Sequence, residues 1–215
     1  MLINVHTHFQ RGLGTEVVNS SSSILPNALF SCGVHPWQAD LGDIELIRKA
    51  ANANNCLAIG EIGLDKLKGP ALEIQQACFI VQVHLAEELN LPVILHCVKA
   101  WNEIKSIKQT IQHKQPWIFH GFVKINLLDD VLQQGLYVSI GAGILKNESL
   151  QTMVPKIPLH QLFLETDTSE TSIGEVYKCV SEIKNIPLYD LEKQLEDNFK
   201  RVFNRWETGL SELNY

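Results

Sequence analysis

Short apolar runs alternate with longer amphipathic stretches along almost the whole chain, and this alternation most constrains the fold. Eight runs read as strands, over residues 2–6, 16–20, 28–34, 56–61, 92–96, 116–120, 136–140 and 161–165. Several are near-continuous in Val, Ile, Leu and Phe, as expected of parallel strands buried on both faces. Helical patterns lie between most of them, at 43–54, 72–89, 101–111, 125–133 and 173–184, and 188–206 closes the chain. The stretch 72–89 is the clearest, with Ile74, Ala77, Cys78, Val81, Leu85 and Leu89 recurring at intervals of three and four. Eight strands alternating with helices predict an α/β fold, a (β/α)8 TIM-type barrel. The chain has 215 residues, where about 250 is typical of such a barrel. The shortfall lies early. No helix fits between residues 8 and 16, nor between 20 and 28, where only Ser-Ser-Ser-Ile-Leu-Pro-Asn stands. The expectation is one shortened barrel domain over residues 1–215, with its first one or two helices reduced or missing.

Charge narrows the function classes. The chain carries 18 Lys and Arg against 24 Asp and Glu, a formal charge of −6. That balance argues against a protein that coats nucleic acid through a broad basic surface. It leaves room for an enzyme that engages one strand end through bound cations, which supply the local positive charge. The five cysteines (Cys32, Cys56, Cys78, Cys97 and Cys179) are odd in number and form no Cys-x-x-Cys. They read as reduced thiols of a cytoplasmic protein. No apolar run approaches the length of a membrane span and no secretion signal stands at the N-terminus, so no membrane partner is expected.

The candidate chemistry lies at the strand ends. In a barrel of this kind the active site forms at the C-terminal ends of the strands. His6 and His8 end the first run, and alternate strand residues share a face, so the two imidazoles project together. Glu61, His96 and His120 end later runs, and Asp167 follows the last. Histidine nitrogens with carboxylates suit zinc, manganese or similar divalent ions. Four histidines and two carboxylates exceed the needs of one tetrahedral ion, which suggests two ions with Glu61 between them. Such a pair can hold the attacking and leaving oxygens of a phosphoester and activate a water. Asp167 is the expected proton acceptor for that water. Three further residues are expected to meet the substrate: His35, in the loop stiffened by Pro36; Lys99, as a phosphate contact; and Trp37, which can stack on a base or cover the rim. His84, His113 and His160 read as ordinary residues, with His113 favoured as a cation at a helix end.

These pieces resemble the TatD-type metal-dependent deoxyribonuclease family, within the amidohydrolase-like barrels. The resemblance spans nearly the whole chain and rests on Val5-His6-Thr7-His8, Gly33-Val34-His35-Pro36, Gly60-Glu61-Ile62-Gly63-Leu64-Asp65, Leu91-Pro92-Val93-Ile94-Leu95-His96-Cys97, Phe119-His120-Gly121-Phe122 and Leu164-Glu165-Thr166-Asp167. It implies that His6, His8, Glu61 and Asp167 hold one ion and that Glu61, His96 and His120 hold a second. It implies hydrolysis of phosphodiester bonds through metal-activated water, with zinc, manganese or magnesium as cofactor and a DNA end or a small phosphoester as substrate. A small amide or lactone is the alternative substrate. The chain departs from the family pattern at Asn4, where Asp is usual, at Phe9-Gln10, at Val98-Lys99, at Gly121–Lys124, and at Thr168-Ser169.

Overall fold

The computed structural model describes residues 1–213. Eight strands follow one another in a single sheet in sequence order. They are β1 (Ile3–Thr7), β2 (Thr15–Ser20), β3 (Leu29–Cys32), β4 (Cys56–Asp65), β5 (Val93–Val98), β6 (Trp117–Phe119), β7 (Tyr137–Ile140) and β8 (Leu162–Leu164). The helices are α1 (Ile44–Ala51), α2 (Leu72–Leu89), α3 (Trp101–Ile111), α4 (Leu128–Gln133), α5 (Glu148–Met153), α6 (Ile173–Lys184), α7 (Leu188–Val202) and α8 (Trp206–Leu213). This is the expected (β/α)8 pattern, and no α-helix stands between β1 and β2 or between β2 and β3. Contacts divide the chain into two compact units, one of residues 1–18 and 119–202, the other of residues 19–118 and the C-terminal segment from Phe203.

In the first unit β1 pairs in parallel with β2, and β7 with β8. The ends of β1 and β8 also meet, through an isolated parallel bridge between Thr7 and Asp167. Helix α6 begins at Ser172, whose side chain and that of Glu175 form a capping box. Such a box satisfies two of the backbone donors that a helix start leaves open. The helix buries Val176, Tyr177 and Val180 completely. The Tyr177 hydroxyl accepts the Ile3 N–H at 3.0 Å and donates to the Ile3 carbonyl at 3.1 Å, which ties α6 to the strand that carries His6. Helix α5 was not expected. It has six residues, too few to show a periodic apolar face, and is started by Asn147, whose side chain accepts from Leu150 N at 3.3 Å.

In the second unit β3 pairs with β4 and β4 with β5, both in parallel. β4 runs four residues past Glu61, because Ile62, Gly63, Leu64 and Asp65 continue the ladder against Leu95, His96, Cys97 and Val98. Glu61 and His96 therefore lie inside their strands rather than at the ends. Gly63 faces His96 across this ladder, and a Cβ there would fall on the His96 carbonyl oxygen. The expected single helix over 188–206 is two helices. Between them Asn204 donates to the Asn90 carbonyl at 2.7 Å, and Arg205 donates to the carbonyls of Ala51 and Leu89 at 2.8 and 3.1 Å. Those carbonyls belong to the last residues of α1 and α2, where a cation is favourable. His113, expected as a helix-end cation, is instead buried, and its Nδ1 accepts the Trp117 indole N–H at 2.8 Å. Desolvation pushes its pKa below the ordinary imidazole value, so the neutral form is preferred. No helix among the described residues is long and apolar enough to cross a membrane.

Candidate metal centre

In the first unit four expected ligands gather around the joined ends of β1 and β8. Asp167 has left-handed backbone, φ 51°, a conformation that Asp tolerates better than most residues. Its N–H donates to the His6 carbonyl at 3.0 Å, and its own carbonyl accepts from His8 N at 3.0 Å. This brings its Oδ1 to 3.6 Å from His6 Nε2 and 3.4 Å from His8 Nε2. The His6 ring is fully buried and lies 4.5 Å, centroid to centroid, from that of His120. Asn4 fastens the neighbouring backbone. Its amide donates to Thr166 Oγ1 at 2.9 Å and its carbonyl oxygen accepts Thr166 N–H at 3.0 Å. An ionised Asp at this position has no donor for the first of these bonds.

Glu165 explains how His120 is oriented. Its carboxylate is fully buried, and Oε1 accepts the Gly121 N–H at 2.8 Å and stands 3.3 Å from His120 Nδ1. A carboxylate has only acceptors, so the proton of this pair sits on Nδ1 and Nε2 is left with its lone pair for a ligand. Carboxylates behind ligating histidines commonly set the tautomer in this way.

In the second unit Glu61, His96 and His35 converge. Glu61 Oε1 lies 2.5 Å from His96 Nδ1 and 3.2 Å from His35 Nε2. His96 Nε2 is 3.5 Å from Asp65 Oδ2. His35 Nδ1 accepts the Trp37 backbone N–H at 3.2 Å, so in the neutral ring its Nε2 carries the proton and acts as a donor. That Nε2 faces Glu61 Oε1, and His35, Glu61 and His96 bring their ligand atoms close enough together to hold a metal ion. Asp65 also accepts the Trp37 indole N–H at 2.6 Å and Leu67 N–H at 2.8 Å. Burial pushes the Asp65 carboxyl up, but the bonds from Trp37, Leu67 and His96 outweigh it and hold the group below the usual carboxylate range. Trp37 is 40% exposed, and the Lys68 ammonium lies 3.6 Å from its ring centroid, so the indole is partly covered from within the protein. Lys99, just past β5, is exposed and has φ 55°. Burial pushes the neighbouring Cys97 thiol up to about 12, which removes it as a nucleophile near neutral pH.

Two glutamines of α2 hold the loops that carry these groups. Gln82 is fully buried, accepts Val34 N–H at 2.7 Å and donates to the Val34 carbonyl at 3.1 Å. Gln75, two turns earlier, accepts Asp65 N–H at 2.8 Å and donates to the Asp65 carbonyl at 3.0 Å. Their spacing of seven places both on the helix face that packs inward. Asp65, Glu165, Gln75 and Gln82 were all missed as functional residues in the sequence. The signal for Asp65 was parity, since it stands four residues after Glu61 on one strand. The signal for the glutamines was a polar residue at heptad spacing on an apolar helix face.

The donor sets fit divalent cations. Ligands at zinc distances around one tetrahedral ion lie about 3.3–3.5 Å apart. The 3.4 Å separation at Asp167 Oδ1 falls within that range and the 3.6 Å separation just above it. Of the six expected ligands, His6, His8, His120 and Asp167 belong to the first unit, and Glu61 and His96 to the second.

Comparison with known proteins agrees with this chemistry. The family of TatD related DNases matches residues 3–204. The chain is 29% identical over 197 residues to the uncharacterized metal-dependent hydrolase YcfH of Escherichia coli K12, covering 83% of this chain and 74% of that one. It is 31% identical over 175 residues to the 3'-5' ssDNA/RNA exonuclease TatD of Citrobacter rodentium, covering 76% of this chain and 66% of that one. The crystal structure of the TatD homologue YjjV from Escherichia coli K12 superposes with a TM-score of 0.82 at 21% identity, over 94% of this chain and 98% of that chain.

Proposed function

Because this chain belongs to the family of TatD related DNases, we propose that it is a divalent-metal-dependent hydrolase that removes nucleotides from the end of a DNA or RNA strand. The observation that carries the reading is the grouping of His6, His8 and Asp167, whose ligand atoms lie within 4.8 Å of one another. The 3'-5' ssDNA/RNA exonuclease activity carried in the name of the TatD relatives supports the substrate class.

By the sequence resemblance, His6, His8, Asp167 and Glu61 would hold one ion, and Glu61, His96 and His120 would hold a second. Zinc, manganese and magnesium all suit the donors. When bound, such ions supply Lewis acidity and lower the pKa of a water. The chain's own groups do the rest. Asp167 would orient the attacking water and take its proton, since an ionised carboxylate is a proton acceptor. His35 donates through Nε2 toward a phosphate oxygen, and Lys99 neutralises phosphate charge. Trp37 borders the substrate path. Glu165 and Asp65 fix the rings of His120 and His96, so that no reorientation is needed during the reaction. A site of action in the cytoplasm, the expectation from the reduced cysteines, belongs to the same proposal.

The test is a substrate panel. Protein treated with a chelator and reloaded with one metal at a time is offered a single-stranded oligonucleotide, a nitrophenyl phosphodiester and simple amides. Metal-restored release of nucleotides is the expected result. A clean preference for an amide overturns the nuclease reading.

A further inference from the structure

Asp167 forms part of the wall of a cleft of about 420 Å³ in the first unit, beside the candidate metal ligands. That volume lies within the range of small-molecule sites and is far larger than a phosphate group requires. The segment after β7, Gly141-Ala142-Gly143, lines the cleft with almost no side chain. The backbone does not demand glycine at either position. Gly141 has φ −90° and ψ 179°, open to any residue. A Cβ on Gly141 would meet the Glu165 side chain at 3.7 Å, and one on Gly143 would meet Leu150 at 3.6 Å, both ordinary contacts. The space is therefore a property of the site and not a by-product of a tight turn.

Its walls are chemically mixed. Leu145 and Leu150 supply apolar surface, and Thr168 and Ser169 supply hydroxyls beside Asp167. Among the described residues lining the cleft Lys146 is the one cation, and it is exposed. Glu165 also lines the cleft, and its second carboxylate oxygen, Oε2, is buried with no hydrogen-bond partner among the described residues. A buried acceptor of this kind calls for a donor. Apolar surface for a flat ring, hydroxyls and an acceptor for sugar and base edges, and a cation for a phosphate together describe a nucleotide.

Resting on the proposed nuclease reading, we propose that this cleft seats one nucleoside of the strand end, sugar and base together, with Lys146 meeting the adjoining phosphate. Among the described residues no aromatic side chain lines the cleft, so the base is held by shape and apolar contact, and purines and pyrimidines are both admitted.

The experiment compares wild type with Gly143→Ala, Gly143→Leu and Lys146→Gln. It reads KM and kcat on a single-stranded oligonucleotide, and the inhibition constants of deoxyadenosine monophosphate and inorganic phosphate. Gly143→Leu is expected to raise KM and the deoxyadenosine monophosphate constant about tenfold, with kcat within about threefold and phosphate inhibition unchanged. Gly143→Ala, with a smaller intrusion, is expected to raise both constants less than Gly143→Leu does, and Lys146→Gln weakens the nucleotide severalfold. The inference is overturned if the nucleotide inhibits wild type no better than phosphate, or if Gly143→Leu shifts neither constant. Calorimetric titration of deoxyadenosine monophosphate separates this inference from the nuclease reading. If wild type releases no nucleotides, binding that is lost in Gly143→Leu upholds the cleft on its own, and absence of binding overturns it.

Discussion

His8 donates its backbone N–H to the carbonyl of Asp167 at 3.0 Å, while the two side chains approach to 3.4 Å. The contact that closes β8 onto β1 thus also assembles ligand atoms from opposite ends of the sequence. Position of the carboxylate is set by main-chain bonds that a side-chain substitution leaves in place. Asp167→Asn keeps a residue type that tolerates left-handed backbone. It is expected to leave the melting temperature within a few degrees of wild type and to lower metal-stimulated nucleotide release at least about a hundredfold. Undiminished turnover in a folded Asp167→Asn protein removes Asp167 from the chemistry.

Glu165 tests whether tautomer control of His120 matters. In Glu165→Gln the amide can present either an oxygen or an NH2 to His120 Nδ1 and Gly121 N, and only one orientation serves both donors. Loss of the carboxylate charge also weakens the basicity it lends to the ring. Divalent-metal affinity, measured by competition with a chromogenic chelator, is expected to fall about 10- to 100-fold. Glu165→Asp, which keeps the charge, is expected to recover part of that loss. Equal affinity in wild type and Glu165→Gln assigns the carboxylate a purely structural part.

The fold was legible where a local pattern carried it. Helix α2 occupies the expected residues, because its apolar spacing runs through five turns, and the gaps flanking β2 were visible as stretches too short and too rich in Ser and Pro. Helix α5 was not, since six residues cannot display a period. The site shows the same division. Candidate ligands could be named from residue types at strand ends, but Glu61 and His96 were misplaced by a few residues because the β4–β5 ladder continues beyond them. The roles of Asp65, Glu165, Gln75 and Gln82 depend on partners far away in sequence, which no spacing rule reveals. Asn4 reads as a loss against the family pattern, yet its amide donor makes a bond that an ionised carboxylate cannot make.

Gln82 links stability to the site. Its side chain satisfies both polar groups of the Val34 peptide, next to His35, in a fully buried position. In Gln82→Leu both are left without a partner, at a cost of roughly 1–3 kcal/mol each. The variant is expected to lower the urea midpoint by an amount equivalent to about 2–6 kcal/mol and to raise KM for the oligonucleotide as the His35 loop loosens. A Gln82→Leu protein with wild-type stability shows that the loop backbone has other support.

His113 gives the pH dependence of stability a defined origin away from the metal ligands. Burial lowers its pKa first and foremost, with Glu87 acting in the opposite sense. The unfolded chain therefore takes up a proton at this residue before the folded one does, as pH falls past about 6.5. More protons bound by the unfolded state means that stability falls as the medium is acidified, until the pH drops below the folded-state pKa and the loss levels off. His113→Gln removes the titration and keeps an acceptor for the Trp117 indole. Urea unfolding from pH 8 to pH 5 is expected to show a steeper decline for wild type than for the variant, with the two curves diverging below about pH 6.5. Parallel curves over that range place the proton uptake on other groups.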